Sequence, residues 1–134
     1  MGEGQRRLSL TQTRVLTVDD QIVFRDAARD VIAATPGFES VGVAASGEEA
    51  LAAVERLRPE LVLLDVRMPG MGGIEAARRI TEAHPGIVVV LISIEGSDEV
   101  AEDAHASGAA ALVRKQEFGP ALLRRIWEAH GAHV

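Results

Sequence analysis

The sequence contains no cysteine and no tyrosine, and its aromatic residues amount to one tryptophan and three phenylalanines. Without cysteine the chain can form neither disulfides nor thiolate metal sites, which is compatible with a reducing cytoplasm. It also lacks any apolar run near the roughly 18 residues that a membrane-spanning helix requires. We therefore predict a cytoplasmic protein with no membrane partner.

Basic residues are the minority among the charged side chains, with 14 Lys and Arg against 20 Asp and Glu, a net charge of −6. An acidic chain without a basic cluster is not expected to bind nucleic acid directly. Its 134 residues are enough for one domain with a proper core but not for a second of similar size. We predict a flexible leader over 1–13, a single domain over 14–130 and a tail over 131–134.

One stretch, Leu61 to Met71, organises the rest of the chain. Four aliphatic residues run directly into Asp65, and a Pro-Gly turn follows at Pro69. So short an apolar run between turn signals predicts a strand buried on both faces, with Asp65 at its carboxyl end. In open α/β sheets ligands bind at that edge, although an acid before a turn also serves as a cap. This stretch alone leaves both interpretations open.

Five strand-helix units are predicted along the chain, with strands over 14–18, 38–44, 61–64, 87–92 and 110–113. Ser46 and Ser97 stand where two of the intervening helices begin, and Glu49 completes a capping box with Ser46. Strands that alternate with helices favour a parallel sheet covered on both faces. We predict an α/β, flavodoxin-like (βα)5 fold in three layers, with the strand order 2-1-3-4-5.

The carboxyl ends of these strands place five functional groups at one edge of the sheet: Asp19 and Asp20, Asp65, Ser93, and Lys115. Three carboxylates side by side repel one another, and a site made only of oxygen ligands suits Mg²⁺. A carboxylate can also act as a nucleophile toward a phosphoryl group, which a hydroxyl and an ammonium could then hold. Taken singly, each residue has a simpler role, as a helix cap, a turn former or a solvated charge.

Four motifs occur together: Val18-Asp19-Asp20, the run from Leu64 to Gly73, Leu91-Ile92-Ser93, and Gly108-Ala109 leading to Lys115. On these motifs the chain resembles the receiver domain of two-component response regulators over about 14–127, with NarL/LuxR-type receivers as the nearest variety. The resemblance implies that Asp65 is the phosphoacceptor and that Asp19, Asp20 and the Arg67 main-chain carbonyl bind Mg²⁺ with it. It also implies that Ser93 is the switch hydroxyl and that Lys115 pairs with the phosphate.

The same resemblance implies the partners. A sensor histidine kinase or a histidine phosphotransfer protein would supply the phosphoryl group, and the chain would catalyse only its own phosphorylation and dephosphorylation. A homodimer would form through the fourth helix, fifth strand and fifth helix, over about 98–129.

Three residues depart from the family pattern. Leu112 lies three residues before Lys115, where an aromatic rotamer switch is usual, so we expect weak coupling to Ser93. Ile94 replaces a smaller residue and is expected to crowd access to the phosphoacceptor. Gln116 stands where proline is common, and we expect a trans bond because a cis bond would cost roughly 3 kcal/mol.

Other functions compete with this one. The first is a receiver-like module that binds partners without being phosphorylated, although the intact set of acids disfavours it. The second is a Mg²⁺-dependent phosphatase with an Asp nucleophile, which typically has a second acid two residues later, where this chain has Arg67. Nucleotide binding is disfavoured further, because the sequence contains neither GxGxxG after the first strand nor GxxxxGK.

Overall fold

Five strands alternate with five helices in the computed structural model, which describes residues 12–94 and 97–131. The strands are β1 (Thr13–Val18), β2 (Phe38–Ala44), β3 (Leu61–Asp65), β4 (Val88–Ser93) and β5 (Ala111–Arg114). The helices are α1 (Ile22–Ala33), α2 (Gly47–Leu57), α3 (Gly73–Ala83), α4 (Asp98–Ala106) and α5 (Pro120–His130), and a 3₁₀ turn over Lys115–Glu117 precedes α5. None of the helices in the described ranges is long and apolar enough to cross a membrane.

The strands form one parallel sheet in the order β2-β1-β3-β4-β5, which confirms the predicted topology. The order reverses between β1 and β3, so their carboxyl ends flank the crevice where α/β sheets bind ligands. The pairing of Val18 with Leu64 brings the ends of β1 and β3 to the same level. The residues that follow these two strands are therefore neighbours.

Both faces of the sheet are covered, and each has its own apolar core. Leu61 and Leu63 of β3 pack with α1 and α5, whereas Val62 and Leu64 pack with α2, α3 and α4. All four side chains are fully buried, as predicted for a central strand. The resulting helix-sheet-helix arrangement confirms the three predicted layers.

The predicted caps begin their helices. The Ser46 hydroxyl accepts a hydrogen bond from the Glu49 main-chain N–H at 3.1 Å, and the Glu49 carboxylate accepts one from the Ala45 N–H at 3.0 Å. The Ser97 hydroxyl likewise accepts from the Val100 N–H at 3.2 Å. These bonds satisfy main-chain donors that a helix start leaves without partners.

Element boundaries differ from the prediction by one or two residues. β1 begins at Thr13, inside the predicted leader, because the Thr13 N–H donates to the Gly37 carbonyl at 2.7 Å. β4 starts one residue later than predicted and includes Ser93, because Ser93 pairs with Arg114 of β5. Residues 1–11 of the predicted leader and 132–134 of the tail lie outside the described residues.

Candidate active site

The predicted functional side chains meet at the carboxyl edge of the sheet. They border an open cleft of about 330 Å³ that is lined by Asp20, Gln21, Asp65, Arg67, Ser93, Ile94 and Lys115. Asp19 lies directly beneath and is fully buried. The tertiary structure therefore brings together all five residues predicted at the carboxyl ends of the strands.

Asp65 is the last residue of β3 and is only 6% exposed. Burial, together with the nearby charge of Asp19, raises the pKa of its carboxyl from 3.8 to about 6. The Lys115 ammonium and the Arg67 main-chain N–H, which donates to this carboxylate, oppose that rise in pKa. Asp65 thus accepts a turn hydrogen bond, as the simpler interpretation required, and also belongs to the acidic cluster.

Asp19 and Asp20 leave β1 in different environments. Asp19 is buried, and its Oδ1 accepts a hydrogen bond from the Gln21 main-chain N–H at 2.8 Å. Asp20 is exposed and borders the cleft. Neither acid is the N-cap of α1, because that residue is Gln21.

Lys115 neutralises part of this acidic charge. Its Nζ lies 2.6 Å from Asp19 Oδ2 and 3.7 Å from Asp65 Oδ1, and its side chain is only 12% exposed. An ammonium so placed has two carboxylates within reach, which stabilises it away from bulk water. Ser93, which is 4% exposed at the end of β4, completes the wall of the cleft.

Three further residues at the site were not selected from the sequence, and all lie at or near the start of α1. Gln21 lines the cleft, and its main-chain N–H donates to the Asp19 carboxylate. The Arg25 guanidinium donates to the Asp19 main-chain carbonyl at 2.7 Å. The Phe24 ring lies 4.7 Å from Lys115 Nζ. The sequence feature that could have identified them is their position directly after Asp19 and Asp20, because the first turn of the helix that follows must lie beside these acids.

The β3–α3 connection holds the Asp65 main chain in place through close backbone contact. A Cβ on Gly73 would lie 1.9 Å from the Asp65 carbonyl oxygen, and the Gly73 N–H donates to the Val66 carbonyl at 2.9 Å. Only glycine allows the two segments to approach this closely. Gly70, in the preceding turn, has a φ of +75°, which also favours glycine.

The three departures from the family pattern occupy different places. Leu112 is half-buried in the groove between α4 and β5, and Ile94 lines the cleft at its rim with 59% of its surface exposed. The Lys115–Gln116 bond is trans, as expected. The Gln116 side chain donates to the Ile94 carbonyl at 3.4 Å, a contact that joins the loops after β4 and β5.

The acids at this site fit a magnesium ion. One carboxylate oxygen from each of Asp19, Asp20 and Asp65 lies within 4.8 Å of the other two. Oxygen ligands, a small number of carboxylates and an open side from which water can enter are what Mg²⁺ prefers. The donor set and its opening toward the cleft therefore suit this cation.

A family model described as the response regulator receiver domain matches residues 15–127. The chain belongs to this family. Receiver domains bind Mg²⁺ at an acidic cluster and interact with histidine kinases or phosphotransfer proteins. The receiver is 40% identical to the response regulator GacA of Pseudomonas viridiflava over 102 residues, which are 76% of this chain and 48% of that protein. It thus spans about half the length of this curated relative.

Solved receiver structures share the fold. A two-component response regulator of the LuxR family from Aurantimonas sp. SI85-9A1 matches with a TM-score of 0.80 and 31% identity, over 88% of this chain and 84% of that one. A chain of the CheX–CheY–BeF3–Mg²⁺ complex from Borrelia burgdorferi matches with a TM-score of 0.79 and 28% identity, over 87% of this chain and 88% of that one. The predicted family and fold are confirmed, and the acidic cluster is consistent with a phosphoacceptor function.

Proposed function

We propose that Asp65 accepts a phosphoryl group from the phosphohistidine of a sensor histidine kinase or a histidine phosphotransfer protein. The observation that carries this proposal is the placement of the Asp65 carboxylate. It lies at the switch point of the sheet, beside a cleft, with two acids within 4.8 Å and an ammonium at 3.7 Å. The three carboxylates can hold a cation, and Lys115 is paired with two of them.

The transfer needs an ionised nucleophile and compensation of charge. A pKa of about 6 leaves most of the Asp65 carboxyl ionised at neutral pH. Its oxygen would attack phosphorus while the P–N bond to the donor histidine breaks, and the imidazole leaves as the electron pair returns to nitrogen. Lys115 would then pair with a phosphoryl oxygen, and the Ser93 hydroxyl would donate to another.

Asp19, Asp20, Asp65 and the main-chain carbonyl of Arg67 are the residues that would hold Mg²⁺. When bound, the cation supplies positive charge beside the acids and the transferring phosphoryl group. The buried Asp19 is held by the Gln21 N–H, so its orientation is set before any ligand arrives. The CheX–CheY complex from Borrelia burgdorferi, whose fold matches this chain, holds BeF3 and Mg²⁺, which supports a Mg²⁺ site in this receiver.

The rim of the cleft is suited to a protein donor. Ile94 lines this cleft with 59% of its surface exposed. Ile22 and Val23, which follow the cleft residue Gln21 at the start of α1, are 61% and 78% exposed. A protein donor that delivers a phosphoryl group to Asp65 must approach through this opening, and it would cover these apolar side chains. The position of Ile94 at the rim narrows the opening without closing it.

Self-association through α4, β5 and α5, over about 98–129, is the output we propose. Four of the exposed side chains of α4 are acids, beside Ala101, His105 and Ala106, while β5 and α5 expose three arginines and the acid Glu128. The acids of α4 are Asp98, Glu99, Glu102 and Asp103, and the arginines are Arg114, Arg124 and Arg125. A two-fold interface can bring the acids of one copy against the arginines of the other.

Leu112 would couple phosphorylation to this surface, because it lies in the groove between α4 and β5. Leucine has no polar tip and is smaller than the usual aromatic, so its response to movement of Ser93 would be weak. We therefore expect only a modest change in self-association. Sedimentation with and without BeF3 and Mg²⁺ measures it, and an all-or-none shift from monomer to dimer would contradict the role given to Leu112.

Three finer assignments accompany this function. The receiver would be of the NarL/LuxR type, which the LuxR-family structure at 31% identity supports. It would catalyse only its own phosphorylation and dephosphorylation. Its location would be cytoplasmic, which agrees with the absence of cysteine.

Incubation with acetyl phosphate and Mg²⁺, followed by intact mass measurement, tests the phosphorylation. We expect one added phosphoryl group on the wild type and on Asp103→Asn, an exposed control on α4, and none on Asp65→Asn. Modification of Asp65→Asn would move the nucleophile elsewhere. A wild type that gains no phosphoryl group would favour the phosphorylation-independent interaction module. Release of many molecules of inorganic phosphate per protein molecule would favour a phosphatase.

A further inference from the structure

Two kinds of group hold Lys115. Its ammonium faces the carboxylates of Asp19 and Asp65, and on another side it lies over the Phe24 ring, 4.7 Å from the ring centroid. The Phe24 ring in turn packs against Phe118, with ring centroids 6.2 Å apart and planes inclined at 51°. The two rings form the aromatic support of the lysine.

This support addresses a geometric difficulty. Lys115 follows β5, whereas Asp19 follows β1, and β3 and β4 lie between these strands. The lysine must therefore extend its long side chain inward across the carboxyl edge of the sheet. A free lysine side chain has many rotamers, and holding a single one is entropically unfavourable. The carboxylates alone attract the charge but do not exclude a turn toward solvent.

The Phe24 ring supplies the missing constraint. The face of an aromatic ring carries partial negative charge and attracts an ammonium, most strongly where water is excluded. Lys115 is only 12% exposed, so this attraction is little weakened by solvent. The Phe118 ring packs against the Phe24 ring and limits its movement. Phe118 is itself fixed relative to the lysine, because the Phe118 main-chain N–H donates to the Lys115 carbonyl at 3.2 Å.

We propose that Phe24, supported by Phe118, is a positioning residue for phosphoryl transfer, because its ring holds the Lys115 ammonium between Asp19 and Asp65. This inference rests on the proposed role of Lys115 toward the phosphoryl group. Phe24 contacts no reacting atom and acts through the lysine. Its contribution depends on the π face of the ring and not on apolar bulk alone.

The phosphorylation rate with acetyl phosphate at saturating Mg²⁺ separates these two contributions. Phe24→Leu keeps apolar bulk and removes the ring, and we expect a loss of about threefold to thirtyfold. Phe24→Tyr keeps the ring and should restore the rate to within about twofold of wild type. Phe38→Leu is the matched control, because Phe38 belongs to the same core but lies at the start of β2, away from the cleft.

A double-mutant cycle shows whether Phe24 acts through Lys115. In a Lys115→Met background, Phe24→Leu should cause no further loss. An equal loss with and without the lysine would overturn the proposal, as would equal losses for Phe24→Leu and Phe38→Leu. If the wild type accepts no phosphoryl group on Asp65, the proposed function fails instead, so the two failures are distinguishable.

The proton NMR spectrum of the unphosphorylated protein without Mg²⁺ provides a readout independent of the reaction. Lys115 Nζ lies over the Phe24 ring, so the protons on the carbon next to this ammonium should be shifted upfield by the ring current. Phe24→Leu should abolish this shift and Phe24→Tyr should keep it. A wild-type spectrum without an upfield shift would overturn the proposal even if every Phe24 variant failed to fold.

Discussion

Asp65→Asn should stabilise the receiver at neutral pH without Mg²⁺ while it abolishes phosphorylation. The folded structure keeps a carboxylate nearly buried beside Asp19, and the resulting rise in pKa measures the cost of ionising it there. A rise from 3.8 to about 6 corresponds to about 3 kcal/mol at 1.36 kcal/mol per pH unit. Water in the open cleft screens part of this cost. We therefore expect the free energy of unfolding of Asp65→Asn to exceed that of the wild type by about 1–3 kcal/mol.

The gain should depend on pH with a defined sign. Below about pH 4, Asp65 is protonated in both the folded and the unfolded chain, so the wild type has no charge to bury. Between about pH 4 and pH 6 the unfolded chain releases this proton before the folded one does, and the wild type loses stability relative to Asp65→Asn. Above about pH 6 the difference between the two proteins should be constant.

Thermal and urea unfolding of metal-free protein at pH 4, 5, 6 and 7.5 measures this difference. Each kcal/mol should raise the melting temperature by about 3–5 °C in a domain of this size. Asp30→Asn, which removes an exposed carboxylate from α1, controls for the change in net charge. A destabilised Asp65→Asn at pH 7.5, or a gain that does not depend on pH, would refute the conclusion that this carboxylate is strained by burial and by Asp19.

Three other substitutions test separate parts of the structure. Asp20→Asn should bind Mg²⁺ more weakly and melt at a higher temperature without metal. A lower melting temperature would show that the Asp20 carboxylate stabilises the fold and is not a metal ligand. Gly73→Ala should lower the free energy of unfolding in urea by about 3 kcal/mol, because the added methyl group overlaps the main chain of Asp65. Gly86→Ala is the control, because a Cβ there meets no atom within 4 Å, and it should change this free energy by less than about 0.5 kcal/mol. Arg14→Met should cost about 1–2 kcal/mol, because the guanidinium donates to two carbonyls at the end of α2 at 2.6 and 2.7 Å; no change in the urea midpoint would show that water replaces these bonds.

The sequence by itself determined the element order, the layered fold and the five residues at the carboxyl edge. This was possible because local signals agreed: apolar runs such as Leu61 to Leu64 are too short for helices, and caps such as Ser46 fix where helices begin. Once parallel strands alternate with helices, chain connectivity brings the strand ends to one edge. The sequence alone therefore predicts that Asp19, Asp65 and Lys115 belong to one site.

Only the tertiary structure decided how those residues face one another. Local pattern could not show that the Lys115 ammonium lies closer to Asp19 than to Asp65, or that burial raises the pKa of Asp65. It marked Phe24 as an inward-facing helix residue, but the ring's position over a lysine 91 residues later depends on how the start of α1 packs beside the segment that joins β5 to α5. Distances across the sheet and the exclusion of water arise from packing among distant segments, and those are the quantities that set charge, affinity and orientation at this site.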